Sequence, residues 1–243
     1  MSYVLVVSDV RKGVFDEKNL DSIGICSFIA KKAFLLIPEG KYDYNPKVVD
    51  KVISTVMSEE AFLNPMNLIT VLEKVISVDG KPDAIVFSHS SSGMECASYA
   101  SGYFGFPLIT DVNHYDERGD LFYKGYYSDK IYAELKTGST PYILTVRSGC
   151  FRDRTKERDE APQIELVTDI TASSERSFVE YVEEERSDID ITKAELLLSI
   201  GRGIGNKDEI PLYEELSGML KAVLSCSRPV VDKMWLPKAR QVG

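Results

Sequence analysis

Short continuous apolar runs alternate with helically spaced ones along this chain. Residues 3–9 read Tyr-Val-Leu-Val-Val-Ser-Asp, a β-rich run that closes on polar residues as a buried strand does. A polar turn around Gly13 follows. Over residues 19–32 the apolar positions Leu20, Ile23, Ile25, Phe28 and Ile29 recur at helical spacing, and residues 33–37 read as a second strand. Residues 46–57 carry Val and Ile in a pattern compatible with either helix or strand. Asn64-Pro65 opens a predicted helix with Leu68, Ile69, Leu72 and Ile76 on one face, proline being favoured in a first turn. Residues 81–88 form another predicted buried strand. Its polar exit, His89-Ser90-Ser91-Ser92-Gly93, runs into a helix over 94–103. Strand, small-residue loop and helix in that order build parallel sheets, whose ligands sit at strand ends.

The pattern then changes. After a short strand at 107–111, residues 116–137 alternate polar positions with Phe122, Tyr123, Tyr126, Tyr127 and Tyr132, the period of an antiparallel excursion with one packed face. Residues 142–147 and 163–168 read as further strands. A densely charged stretch at 183–193 marks a linker or a domain seam. Beyond it come a strand at 194–200, a glycine loop, and a helix at 210–224. The prediction is an α/β chain: a mostly parallel sheet flanked by helices in an N-terminal domain, residues 1–190, followed at 191–243 by the first βα unit of a Rossmann-like domain.

Composition narrows the function classes. In 243 residues, 44% hydrophobic and 28% charged, there is ample material for a globular core. No run approaches the ~20 apolar residues of a membrane-spanning helix, so an integral membrane protein is not expected. With 38 acidic against 29 basic side chains the net charge is −9, which disfavours a nucleic-acid groove. The basic residues of 147–158 are interleaved with acidic ones. Cys26, Cys96, Cys150 and Cys226 are isolated, as in a reducing compartment, and with only two histidines no metal site is expected. Met1-Ser2 leads straight into the first apolar strand, which predicts a cytoplasmic chain without a targeting leader. No nucleophile, base and orienting group can be assembled, so a hydrolase is disfavoured and any chemistry falls to a bound cofactor.

Three segments carry candidate chemistry. Gly201-Arg202-Gly203-Ile204-Gly205 follows a strand directly; glycines there let a ligand approach the backbone, and an arginine suits a diphosphate. A plain glycine-rich turn gives the same pattern. Ser227 and Arg228, expected at the start of a short strand, would present a hydroxyl and a guanidinium together to an electron-rich ring. A ligand-free surface pair is the other reading. The loop at 88–93 has the small residues of a phosphate cradle without the lysine or spacing of a P-loop. A helix N-cap and tight turn account for it equally.

Taken in order, Ser199 to Gly205, Ser225 to Asp232, Trp235-Leu236-Pro237 and Arg240-Gln241-Val242-Gly243 closely resemble the alpha subunits of electron transfer flavoproteins. Tyr3-Val4-Leu5-Val6-Val7, Pro107 to Val112 and Thr145 to Phe151 resemble that family's first domain, so the resemblance covers nearly the whole chain. It implies an electron-carrier subunit rather than an enzyme with its own substrate. Such a subunit pairs with a homologous electron transfer flavoprotein beta subunit as a heterodimer. It passes electrons from dehydrogenases, through FAD, to a quinone-linked or soluble acceptor. Carried over, Gly201, Arg202 and Gly203 look like the family's turn and arginine beside FAD, and Ser227 and Arg228 like the pair that contacts the flavin. Gln241, Val242 and Gly243 match the start of the loop around the isoalloxazine and diphosphate. The family's sequence continues past this point with further ribityl, diphosphate and adenosine contacts. Residues 1–243 are therefore expected to hold only part of an FAD site, as a truncated or split subunit would. The competing expectation, from another class, is a non-redox nucleotide-binding or interaction scaffold with its ligand at residues 88–93.

Overall fold

The computed structural model describes residues 2–168, 170, 176–181, 191 and 194–242. All of the charged stretch at 183–193 except Ile191 lies outside the described residues, as does Gly243. The chain divides into two compact units, Met1–Phe178 and Val179–Gly243.

In the first unit the strands are β1 (Tyr3–Val7), a small hairpin of β2 (Val10–Arg11) and β3 (Val14–Phe15), then β4 (Lys32–Ile37), β5 (Lys51–Thr55) and β6 (Ala84–Ser88). They continue as β7 (Leu108–Asp116), β8 (Leu121–Tyr126), β9 (Ile131–Leu135), β10 (Tyr142–Val146) and β11 (Gln163–Val167). The helices are α1 (Lys18–Gly24), α2 (Cys26–Ile29), α3 (Glu59–Phe62), α4 (Pro65–Asp79) and α5 (Ser91–Phe104). A nine-stranded sheet runs in the order β11-β5-β4-β1-β6-β10-β7-β8-β9. From β11 to β7 every pairing is parallel, and β7-β8-β9 is an antiparallel meander.

Strand periodicity splits the core between the sheet's two faces. Val4, Val6, Leu35, Val86 and Leu144 face Ile23, Ile25 and Phe15. Tyr3, Leu5, Leu36, Ile85 and Ile143 face Phe62, Leu68, Leu72, Ala97 and Ala100. Most of these side chains are fully buried, each worth roughly 1.5–3 kcal/mol when large. From β1 the chain moves outward through β4 to β5, then returns to the opposite side of β1 as β6. The carboxyl ends of β1 and β6 thus flank the sheet's switch point, where α/β sheets form a crevice.

Several local expectations are revised. The predicted helix at 19–32 is observed as two short helices, α1 and α2, joined through Ile25, which keeps helical backbone angles; Gly24 lets the Phe151 carbonyl oxygen approach to where a Cβ would lie 2.1 Å away. Residues 46–57 resolve into a 3-10 turn capped by Asn45, then β5. Helix α5 starts three residues early because Ser90 Oγ accepts from the Gly93 amide. Strand β7 continues to Asp116 because β8 pairs with its second half.

The second unit contains β12 (Leu197–Ile200), α6 (Ile210–Leu220), β13 (Val223–Ser227), α7 (Arg228–Asp232) and β14 (Gln241–Val242). The strands form a parallel sheet in the order β12-β13-β14 over a core of Ile200, Ile210, Leu224, Cys226, Val230 and Leu236. The helix ends at Leu220 rather than 224: Lys221 turns left-handed at φ 53°, and Ala222 N closes on the Ser217 carbonyl at 2.9 Å. Among the described residues no helix is long and apolar enough to cross a membrane.

Candidate functional site

Register in the small sheet brings distant motifs to one edge. Ile200 lies opposite Cys226, and Cys226 and Ser227 lie opposite Gln241 and Val242. The carboxyl ends of all three strands therefore place Gly201-Arg202, Ser227-Arg228 and Gln241-Val242 side by side. Gly201 is extended, with φ −129°, so its lack of a side chain matters for space: a Cβ would sit 3.5 Å from Ser227 Oγ. Nothing lies within 4 Å of a Cβ placed on Gly203, and only Gly205, at φ 82°, needs glycine's backbone freedom.

Ser227 ends β13 and Arg228 opens α7, rather than both starting a strand. Pro229 at the helix's first turn has no N–H to give a ladder and is pre-set for helix. The Ser227 hydroxyl is half-buried and makes no hydrogen bond among the described residues. Arg228 is 77% exposed, with Asp232 one turn on at 3.6 Å from its Nε. Arg202 is exposed and makes no ion pair among the described residues. Trp235 N donates to the Val230 carbonyl at 3.1 Å and turns the chain back toward the sheet. Arg240 Nη1 donates to the Leu224 carbonyl at 3.0 Å, fastening the segment that leads into β14. Gly243, the last of the predicted site residues, lies outside the described residues.

This donor set suits an anionic ligand. Two exposed guanidiniums, a hydroxyl without an internal partner and open backbone after Gly201 all face the same strand edge. Asp232 partners Arg228 at its margin. Among the described residues no cluster of His, Cys, Asp and Glu is placed to hold a metal ion.

In the first unit, the loop at 88–93 is a true N-cap. A second polar cluster there was not legible in the sequence. Arg147 donates to both oxygens of Asp111, at 2.9 and 2.6 Å, and to Asp129 at 2.7 Å. Thr145 Oγ1 bridges the Asp111 amide and His89 Nδ1, each at 2.8 Å. The Arg147 hydrogen bonds hold the Asp111 carboxyl below the usual carboxylate range, and those to Asp111 and Asp129 push Arg147 further up. Burial lowers His89 despite its neighbour Asp111. Asp111 sits at φ 61°, an uncommon backbone for a non-glycine residue, and no short motif signals that.

A family model described as the electron transfer flavoprotein domain matches residues 41–172, more than half of the chain. A second, the electron transfer flavoprotein FAD-binding domain, matches residues 190–243. The chain belongs to the electron transfer flavoprotein alpha family. It is similar to the electron transfer flavoprotein subunit alpha of Methylophilus methylotrophus, at 29% identity over 100% of this chain and 78% of that protein. The subunit alpha of Syntrophomonas wolfei is 26% identical over 80% of this chain and 62% of its own. Protein FixB of Escherichia coli is 36% identical over 46% of this chain and 38% of its own length. The matched stretches of the last two relatives are thus less than two thirds of those proteins. The three motifs at the strand edge of this electron transfer flavoprotein chain all fall inside the FAD-binding match.

Proposed function

We propose that this electron transfer flavoprotein chain works as an alpha subunit whose second unit receives the flavin and diphosphate part of FAD. The proposed contacts are Gly201, Arg202, Gly203, Ser227, Arg228, Gln241, Val242 and Gly243. The observation that carries the reading is the convergence of the three motifs at the carboxyl edge of β12, β13 and β14. FAD, when bound, supplies the electron-carrying chemistry. The chain's own part is placement and charge: Ser227 donates a hydrogen bond, and Arg202 and Arg228 stabilise negative charge next to them, which favours the reduced over the oxidised cofactor. The chain pairs with an electron transfer flavoprotein beta subunit in the cytoplasm. It takes electrons from dehydrogenases and gives them to a quinone-linked or soluble acceptor. Domain limits at 1–190 and 191–243 belong to the same proposal.

Co-expression with a beta-type subunit tests this. The expected result is a co-purifying complex with flavin absorbance bands in the visible, lost or weakened in a Ser227→Ala/Arg228→Ala double variant that still pairs. Two proteins that elute separately at micromolar concentration, both colourless, would refute it.

A further inference from the structure

Strand β13 runs for five residues, but β14 pairs with only its last two: Cys226 lies opposite Gln241 and Ser227 opposite Val242. The first half of β13 is covered on its other edge, where Leu197 and Leu198 of β12 lie opposite Val223 and Leu224. Peptide groups alternate sides along a strand. The Val223 amide donates to the Leu196 carbonyl at 2.9 Å, on the β12 side. The Leu224 carbonyl therefore points the other way, toward the segment that enters β14. Extending the β13-β14 register back by two residues would set Leu224 opposite Ala239 and give its carbonyl to the Arg240 amide. That amide is already spent. Lys238–Arg240 form a 3-10 turn, and the Arg240 amide donates to the Pro237 carbonyl at 3.0 Å.

Arg240 closes the gap with its side chain. Its Nη1 donates to the Leu224 carbonyl at 3.0 Å. Leu224 is 2% exposed, and a carbonyl left there without a donor is costly. This is the only hydrogen bond or ion pair of the Arg240 side chain among the described residues, so no carboxylate draws the guanidinium to this place. Burial raises the Cys226 thiol and the Arg240 charge opposes that rise. The guanidinium thus lies along the stretch of β13 that ends in Ser227.

The segment around Arg240 has an anchor on each side. Before it, Leu236 is buried in the small core and the Trp235 amide donates to the Val230 carbonyl at 3.1 Å. After it come only the two paired residues of β14. A ladder that short pins register weakly, and the Arg240 side chain is the rung between the two anchors.

We infer that Arg240 is a positioning residue for the flavin site: its side chain replaces its own backbone amide as the missing rung beside β13, and so sets the register that brings Gln241 and Val242 to the Ser227-Arg228 edge. What the edge binds rests on the FAD reading above; the rung itself does not.

Two variants test this. Arg240→Met keeps the length of the side chain and removes the donor, and Arg240→Lys keeps a donor and the charge. Amide hydrogen exchange read by mass spectrometry on the full chain without cofactor reports the rung. Exchange over residues 238–242 should be about fivefold faster in Arg240→Met and within about twofold of the parent chain in Arg240→Lys, with circular dichroism unchanged in both. Fluorescence titration with FAD of the flavin-depleted complex with a beta-type subunit reports the site. Arg240→Met should bind FAD about tenfold more weakly, and Arg240→Lys should recover most of that loss. Unchanged exchange in Arg240→Met would overturn the rung. So would equal acceleration in the two variants, since packing rather than the donor would then hold the segment. Faster exchange with unaltered FAD affinity would overturn the assignment to the flavin site. A parent complex that binds no FAD would overturn the FAD reading and with it that assignment, while the exchange experiment still decides the rung, so the two failures are told apart.

Discussion

Asp21 is the side chain on which the loop after β10 depends, and removing its carboxylate should cost more than any surface charge in the first unit. It projects from α1 with a fully buried side chain. Its Oδ1 accepts from the Phe151 amide at 2.8 Å and the Arg152 amide at 2.9 Å, and its Oδ2 accepts from the Gly149 amide at 3.0 Å. Thr155 Oγ1 adds a bond to the Leu20 carbonyl at 2.6 Å, and Gly24 lets Phe151 approach the helix. Hydrogen bonds to a charged group contribute about 1.5–3 kcal/mol each, and they share one carboxylate, so they do not add fully. Asp21→Ala strands three amides, of which the Phe151 one is buried; the loss should be about 3–5 kcal/mol. Asp21→Asn keeps one acceptor oxygen but faces one amide with an NH2 group, and should cost about 1–2 kcal/mol. Urea unfolding followed by far-UV circular dichroism reads both. With a slope of about 1–3 kcal/mol per molar urea, Asp21→Ala should lower the midpoint by about 1 M or more at unchanged slope. A loss below about 1 kcal/mol in Asp21→Ala, or equal losses in the two variants, would refute the argument that the shared carboxylate holds the loop.

Three further outcomes are expected. Lys51 in β5 is buried with its ammonium on Asp79, at 2.7 Å, and on Glu165. Lys51→Met leaves two carboxylates facing each other and should cost roughly 3 kcal/mol in the same urea assay, a loss that Lys51→Arg partly restores. Because burial lowers His89 from 6.5, its neutral form is favoured in the folded state, so its contribution is complete above pH 6.5 and declines as pH falls below that value. A His89→Gln variant should unfold with a shallower pH dependence between about 5 and 6.5, and an unchanged slope would count against this. In the flavin-loaded complex, Arg228→Ala should lower the reduction potential by roughly 40 mV, equivalent to about 1 kcal/mol for a screened unit charge and one electron. Asp232→Asn, which removes the carboxylate 3.6 Å from Arg228, should raise it; dye-equilibrated redox titration reads both.

Sequence alone determined what depends on neighbours along the chain. The run at Tyr3–Val7, the proline at Pro65 that opens α4 and the alternation through β8 and β9 carry their own conformations, because strand and helix periodicity and turn chemistry are local. The order of the glycine, serine-arginine and glutamine-valine motifs was legible in the same way, and with it the family. Tertiary structure decided what depends on pairing across long loops. That β7 lies beside β10 instead of β6, and that β6 returns to the far side of β1, follows from which apolar faces cover one another. Position 24 must be glycine because of a carbonyl 127 residues later, and the buried Asp21 carboxylate meets three amides of the same loop. Ser227 changed from strand start to strand end because the β13 ladder stops where Pro229 has no N–H to give. The convergence of Gly201, Ser227 and Gln241 exists only once three parallel strands are in register. Residues so far apart meet only through backbone hydrogen bonds and burial that no window of sequence contains.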